Sequence, residues 1–198
     1  MNYIGMSYGF HDAALSVIDD EGNILFAGHS ERYSGIKHDK NLSLGLVDDA
    51  LSYVHGDLEL HYYERPLMKF LRQIRSGEGF KLSTLCIRDP LTNTLGKSRI
   101  HKHNHHLSHA AAGFQTSPFN DATVVVIDAI GEFDTITIWD ARYDKNGVAK
   151  YKKLYTQKYP NSIGLFYSAM TQRVGLKPMD EEYILMGMAA YGNPIHVD

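Results

Sequence analysis

Met1-Asn2-Tyr3-Ile4-Gly5-Met6, Ala13-Ala14-Leu15-Ser16-Val17-Ile18 and Ile24-Leu25-Phe26-Ala27-Gly28 open the chain as three apolar runs of strand length. Turn chemistry separates them: Ser7-Tyr8-Gly9-Phe10 reads as a loop, and Asp19-Asp20-Glu21-Gly22-Asn23 as a tight turn. Three antiparallel strands therefore begin the fold, and the helical patterns that follow make it an α/β chain. Ser43 suits the N-cap of a helix reaching about Val54, with Leu46, Val47, Leu51 and Val54 as its core-facing stripe. Leu58 to Tyr63 reads as a fourth strand. Leu67 to Arg75 reads as a basic amphipathic helix. Its Lys69, Arg72 and Arg75 form either a solvated face or a contact for a polyanion. Residues 76–98 carry no clear period and read as a loop with helical fragments, an acceptor-side or partner surface.

The second informative stretch is His105-His106-Leu107-Ser108-His109-Ala110-Ala111-Ala112-Gly113. In a helix, His105 and His109 share a face one turn apart, which presents two nitrogen ligands to one metal ion. His106 turns off that face. Five histidines fall between His101 and His109, and such a tract also binds metal adventitiously or is simply solvated. Val124-Val125-Val126-Ile127 reads as a buried strand ending at Asp128, where open α/β sheets place ligands. Two imidazoles and one carboxylate make a facial triad with positions left open for substrate. Further on, Asp134 to Ala141 and Val148 to Tyr155 form a hairpin about Lys145-Asn146-Gly147. Asn161 or Ser162 caps a helix running to about Arg173.

Composition bounds the rest. The 198 residues, 43% of them hydrophobic, suit one α/β domain with a sizeable core. The net charge of −3 gives no global nucleic-acid footprint. A single cysteine, Cys86, rules out an intrachain disulfide and fits a reducing cytoplasm. No apolar run reaches membrane-spanning length, the start lacks a signal-peptide pattern, and no sequence repeat is visible.

Together, His105-His106-Leu107-Ser108-His109-Ala110, Ser117-Pro118-Phe119 and Val126-Ile127-Asp128 with Gly131-Glu132 resemble the N-terminal domain of the O-carbamoyltransferases, which act on nodulation factors, antibiotics and nucleotides. The likeness extends to His11-Asp12, to Glu31-Arg32-Tyr33 with Ile36-Lys37-His38-Asp39, and to Tyr159-Pro160-Asn161-Ser162-Ile163-Gly164. It reaches Glu181-Glu182-Tyr183-Ile184-Leu185-Met186-Gly187-Met188-Ala189-Ala190-Tyr191-Gly192 near the end. Ala129-Ile130 and Ile184 depart from the family pattern, where a glycine and a lysine are usual.

The resemblance implies a ribonuclease-H-like lobe of the actin, sugar-kinase and heat-shock ATPase superfamily, a mixed sheet flanked by helices, similar to the tRNA threonylcarbamoyl-transferring enzymes. It implies metal ligation by His105, His109 and Asp128, with iron(II) or zinc as the ion. His11, Asp12 and Lys37 become the expected catalytic residues. Ser7, Gly9, Gly131, Glu132, Asn161 and Gly164 become the expected contacts to a nucleotide-bearing donor. ATP and carbamoyl phosphate are then co-substrates of the complete enzyme, and a hydroxyl-bearing small molecule or nucleotide is the acceptor. The family's second lobe and its carbamoyl-adenylate-forming domain are expected in cis or trans, so residues 1–198 read as the N-terminal lobe, inactive alone and prone to self-association. Two other readings stay open: a non-catalytic lobe that binds a partner chain, and an ATP-dependent phosphotransferase lobe.

Overall fold

The computed structural model describes residues 1–9, 12–85 and 100–194. His11 and Cys86 lie outside the described residues, as does most of the weakly patterned stretch before Ser98. Two compact units are present, Met1–Ser108 and His109–Asp198, where length and composition suited a single domain.

In the first unit β1 (Asn2–Ser7), β2 (Ala14–Asp19) and β3 (Ile24–His29) form the expected antiparallel meander. A short α1 (Glu31–Ser34) and then α2 (Leu44–Ser52) follow. The Ser43 side chain accepts the Leu46 amide at 3.2 Å and caps α2 as its residue type dictates. β4 (Leu58–Tyr62) and β5 (Ile100–Lys102) complete the sheet in the order β3-β2-β1-β4-β5, with β4 parallel to β1 and β5 parallel to β4. The sheet is therefore mixed and accompanied by helices, as expected of an α/β chain. Alternation selects the buried face: Ile4 and Met6 of β1, Leu15 and Val17 of β2 and Leu60 of β4 meet Leu46, Val47 and Ala50 of α2.

The helix α3 (Pro66–Arg75) inverts its expected faces. Its Arg72 and Gln73 are buried, while Leu67, Leu71 and Ile74 are exposed. Lys69 bonds to Glu64 at 2.6 Å and Arg72 pairs with Glu78. Two of the three cations in the basic stripe are therefore committed inside the protein, and only Arg75 keeps an exposed face of that stripe. A 3₁₀ turn, Leu82–Leu85, is the helical fragment described in the following segment.

The division between the units falls within α4 (His105–Gln115). In the second unit β6 (Asp121–Gly131), β7 (Asp134–Tyr143) and β8 (Ala149–Lys158) form a second antiparallel meander. Asp144 and Gly147, with φ +76° at Gly147, close the β7–β8 turn. Then come α5 (Ile163–Arg173) and α6 (Glu182–Ala189). The topology thus repeats a meander followed by helices, although no sequence repeat announces it. β6 is longer than expected and is not a buried strand. Val126 is buried, but Val125 and Ile127 on its other face are more than half exposed.

Candidate functional site

The parallel strands of the first sheet end together, and the expected site residues of this unit collect at that edge. Ser7 closes β1, Tyr63 and Glu64 follow β4, and His105 lies just beyond β5. β3 runs to the same edge, which brings Glu31 and the 35–40 loop there. Ligand sites of open α/β sheets lie outside the carboxyl ends of the strands for this reason.

The loop after β1 is tied down by backbone bonds. The Gly9 amide donates to the Lys40 carbonyl at 2.7 Å, and the Ala13 amide to the Asp39 carbonyl at 2.7 Å. The Gly9 N–H is therefore already used. What glycine supplies at this position is a φ of +89°. Asp12 and His38 also hold positive φ, 49° and 56°. Such conformations cost on the order of 1–3 kcal/mol each and cluster at functional sites. The His38 Nδ1 lies 3.2 Å from Asp12 Oδ1, and the His38 amide donates to Glu31 Oε2 at 3.2 Å. Asp12, Glu31 and His38 thereby form one compact group, joined by these mutual bonds. Lys37 is exposed next to it in the chain.

The helix α4 forms where the His motif predicts it, with the Leu107 amide capped by Asn104 Oδ1 at 3.0 Å. His109 and Asp128, both in the second unit, each offer one ligand atom within 4.8 Å of the other, and His105 lies one turn before His109 on the same helix. Bonds of about 2.0–2.2 Å to nitrogen and oxygen put donors on one ion roughly 3–4 Å apart, so this donor set fits a transition metal with little movement. His106 is fully buried, in keeping with its place off the shared face. Glu64, which no sequence pattern singles out beyond its place before α3, lies beneath His105. Its Oε2 is 3.6 Å from His105 Nδ1, while Lys69 holds its other oxygen. Burial works to raise the Glu64 carboxyl, but the contacts from His105 and Lys69 outweigh it and hold the group below its ordinary value. A carboxylate beside Nδ1 favours the tautomer protonated there, an orienting arrangement common behind metal-binding histidines.

The remaining histidines of the tract go elsewhere. His61 Nδ1 and His103 Nε2 are 2.9 Å apart, His101 stacks on His61, and Glu59 lies 3.5 Å from His61 Nε2. Burial is the main cause that lowers the pKa of His61 and of His103.

Asp128 does not end its strand. It sits where the β6–β7 register breaks, between Ile127 and Gly131. Its Oδ1 accepts the Ala129 amide at 2.7 Å. Gly131 pairs with Asp134 across a two-residue turn whose first residue, Glu132, is buried with φ +59°, a position that favours glycine. The Asn161 carbonyl accepts the Thr135 hydroxyl at 2.6 Å. Gly164 presses against the β6 backbone at Ala129.

A family model described as "Carbamoyltransferase N-terminus" matches residues 62–197. The chain belongs to this carbamoyltransferase family. Among the curated relatives of this carbamoyltransferase domain is the uncharacterized protein sll1178 of Synechocystis, 30% identical over 98% of this chain and 35% of that protein. The nodulation protein NolNO of Sinorhizobium fredii is 29% identical over 93% of this chain and 28% of its own length. The uncharacterized protein MJ1051 of Methanocaldococcus jannaschii is 28% identical over 91% of this chain and 32% of its own length. The chain spans about a third of the length of these relatives. Among the described residues, no helix is long and apolar enough to cross a membrane.

Proposed function

We propose that this domain holds the metal and the reacting groups for transfer of a carbamoyl group from carbamoyl-adenylate to an acceptor hydroxyl. The observation that carries the reading is the convergence of His109 and Asp128 within 4.8 Å, with His105 one helical turn before His109, in a carbamoyltransferase-family chain. Iron(II) or zinc held there supplies Lewis acidity at the carbamoyl carbonyl. The chain's own residues do the rest. Glu64 keeps the His105 ring oriented. Lys37 brings a cation to the edge where phosphate and oxyanion charge gather. Asp12, paired with His38, accepts the proton of the attacking hydroxyl, with the neighbouring His11 as its relay. Ser7 of the first unit and Gly131, Glu132 and Asn161 of the second are the backbone and polar groups proposed to contact such a donor.

Elemental analysis and cobalt or zinc titration of the wild type, His105→Ala, His109→Ala and Asp128→Ala test the reading. One equivalent bound by the wild type and lost in all three variants is the expected result. Unchanged stoichiometric binding in the variants removes the site. An ATP-dependent phosphotransferase relies instead on magnesium and carboxylates, so tight binding of magnesium alone favours that alternative.

A further inference from the structure

Asp128 lies in β6 where the register with β7 shifts, between Ile127 and Gly131. The first turn of α5 is in contact with the backbone of residues 128 and 129 at this irregularity.

Two features make that contact specific. The Ser162 hydroxyl donates to the Ala129 carbonyl at 2.7 Å and lies 3.2 Å from the Asp128 carbonyl, while accepting the Leu165 amide at 3.1 Å. One side chain thus caps α5 and grips the strand at the register shift. Gly164, the second residue of α5, has an ordinary backbone conformation, so torsion does not require glycine there. Space does. A Cβ on Gly164 falls 2.6 Å from Ala129 Cα, 2.7 Å from Ala129 N and 2.9 Å from Asp128 C. All three are backbone atoms and cannot swing aside as a side-chain tip does. The Ala129 N that Gly164 abuts is also the donor that orients Asp128 Oδ1 at 2.7 Å.

We infer that Ser162 and Gly164 are positioning residues for the Asp128 carboxylate, the N-terminal turn of α5 fixing the backbone at the register shift. This rests on the metal reading above.

Cobalt titration followed by the visible absorption of the bound ion tests the inference, with folding checked by far-ultraviolet circular dichroism. Ser162→Ala and Gly164→Ala are expected to bind cobalt at least tenfold more weakly than the wild type, with an altered band, and Ser162→Thr is expected to restore both. Ser43→Ala removes a cap of the same kind from α2 and is expected to leave the titration unchanged, which separates positioning from a general loss of stability. If Gly164→Ala does not fold, the Ser162 pair decides alone. Wild-type affinity and spectrum in folded Ser162→Ala, with binding lost in His109→Ala and Asp128→Ala, overturns the positioning role and leaves the metal site standing. Wild-type binding in His109→Ala and Asp128→Ala overturns the metal site and the inference with it.

Discussion

Glu64 shows how much one buried carboxylate determines. It is 3% exposed, bonded to Lys69 at 2.6 Å and set 3.6 Å from His105. Removing one member of a buried pair leaves the other charge uncompensated. Glu64→Gln is therefore expected to lower stability by about 3 kcal/mol and metal affinity by roughly ten- to a hundredfold, read by urea unfolding and by titration. Acid sensitivity follows with a definite sign. The folded carboxyl sits below its ordinary value of 4.5, so the unfolded chain takes up the proton first as pH falls. The stabilisation is full above that ordinary value and is lost as pH drops through the folded one. Unfolding midpoints of the wild type between pH 6 and 3 are expected to fall more steeply than those of Glu64→Gln; parallel curves would refute the assignment. Lys37 belongs to the same scale. In a preparation that carries out transfer, Lys37→Ala is expected to slow transfer by roughly ten- to ten-thousandfold while leaving formation of carbamoyl-adenylate, followed by pyrophosphate release, intact.

At the scale of elements, α3 is the instructive case. A helix with a strong apolar stripe normally buries it. Here the buried side carries Arg72 and Gln73, held by Glu78 and by Thr84, whose hydroxyl donates to Gln73 at 2.9 Å. The stripe of Leu67, Leu71 and Ile74 faces outward instead. Leu71→Lys is expected to change stability by no more than about 0.5 kcal/mol, as exposed substitutions do, whereas Arg72→Ala is expected to cost several times that. Thermal unfolding of the two variants side by side checks the contrast. The caps behave as their residue types require. Ser43→Ala is expected to cost about 1 kcal/mol, because the Leu46 amide then loses its acceptor.

Across the whole molecule, each unit opens with a three-stranded meander and continues into helices, but the two are covered differently. The first unit has a closed apolar core between sheet and α2. In the second, Phe166 of α5 is 63% exposed, Met186 of α6 67% and Tyr191 beyond it 94%. Exposed apolar surface on that scale favours association, and methionine adapts readily to irregular contacts. The chain is expected to self-associate in light scattering, and Phe166→Glu with Met186→Glu to shift it toward monomer. A strictly monomeric wild type at high concentration would contradict this. Supplied with carbamoyl-adenylate, the 198-residue chain alone is expected to show no transfer. Turnover by the isolated chain would mean that residues 1–198 hold a complete site.

What the sequence determined by itself was local. Apolar runs and turn chemistry set the strands of both meanders, residue type set the caps at Ser43 and Ser162, and the four-residue spacing of His105 and His109 put both on one face of α4. The family resemblance followed from the order of these signals. Tertiary structure decided the rest. Alternation is blind to strand direction, so only packing made β4 and β5 parallel to β1 and gathered the site residues at one edge. A stripe says which residues are apolar but not which side meets the sheet, so α3 was open to inversion. The grip of Ser162 and Gly164 on the strand at Asp128 and the place of Glu64 beneath His105 each depend on groups 33 or more residues apart in the chain. No local pattern encodes such contacts, because their energy exists only once the distant segments have met.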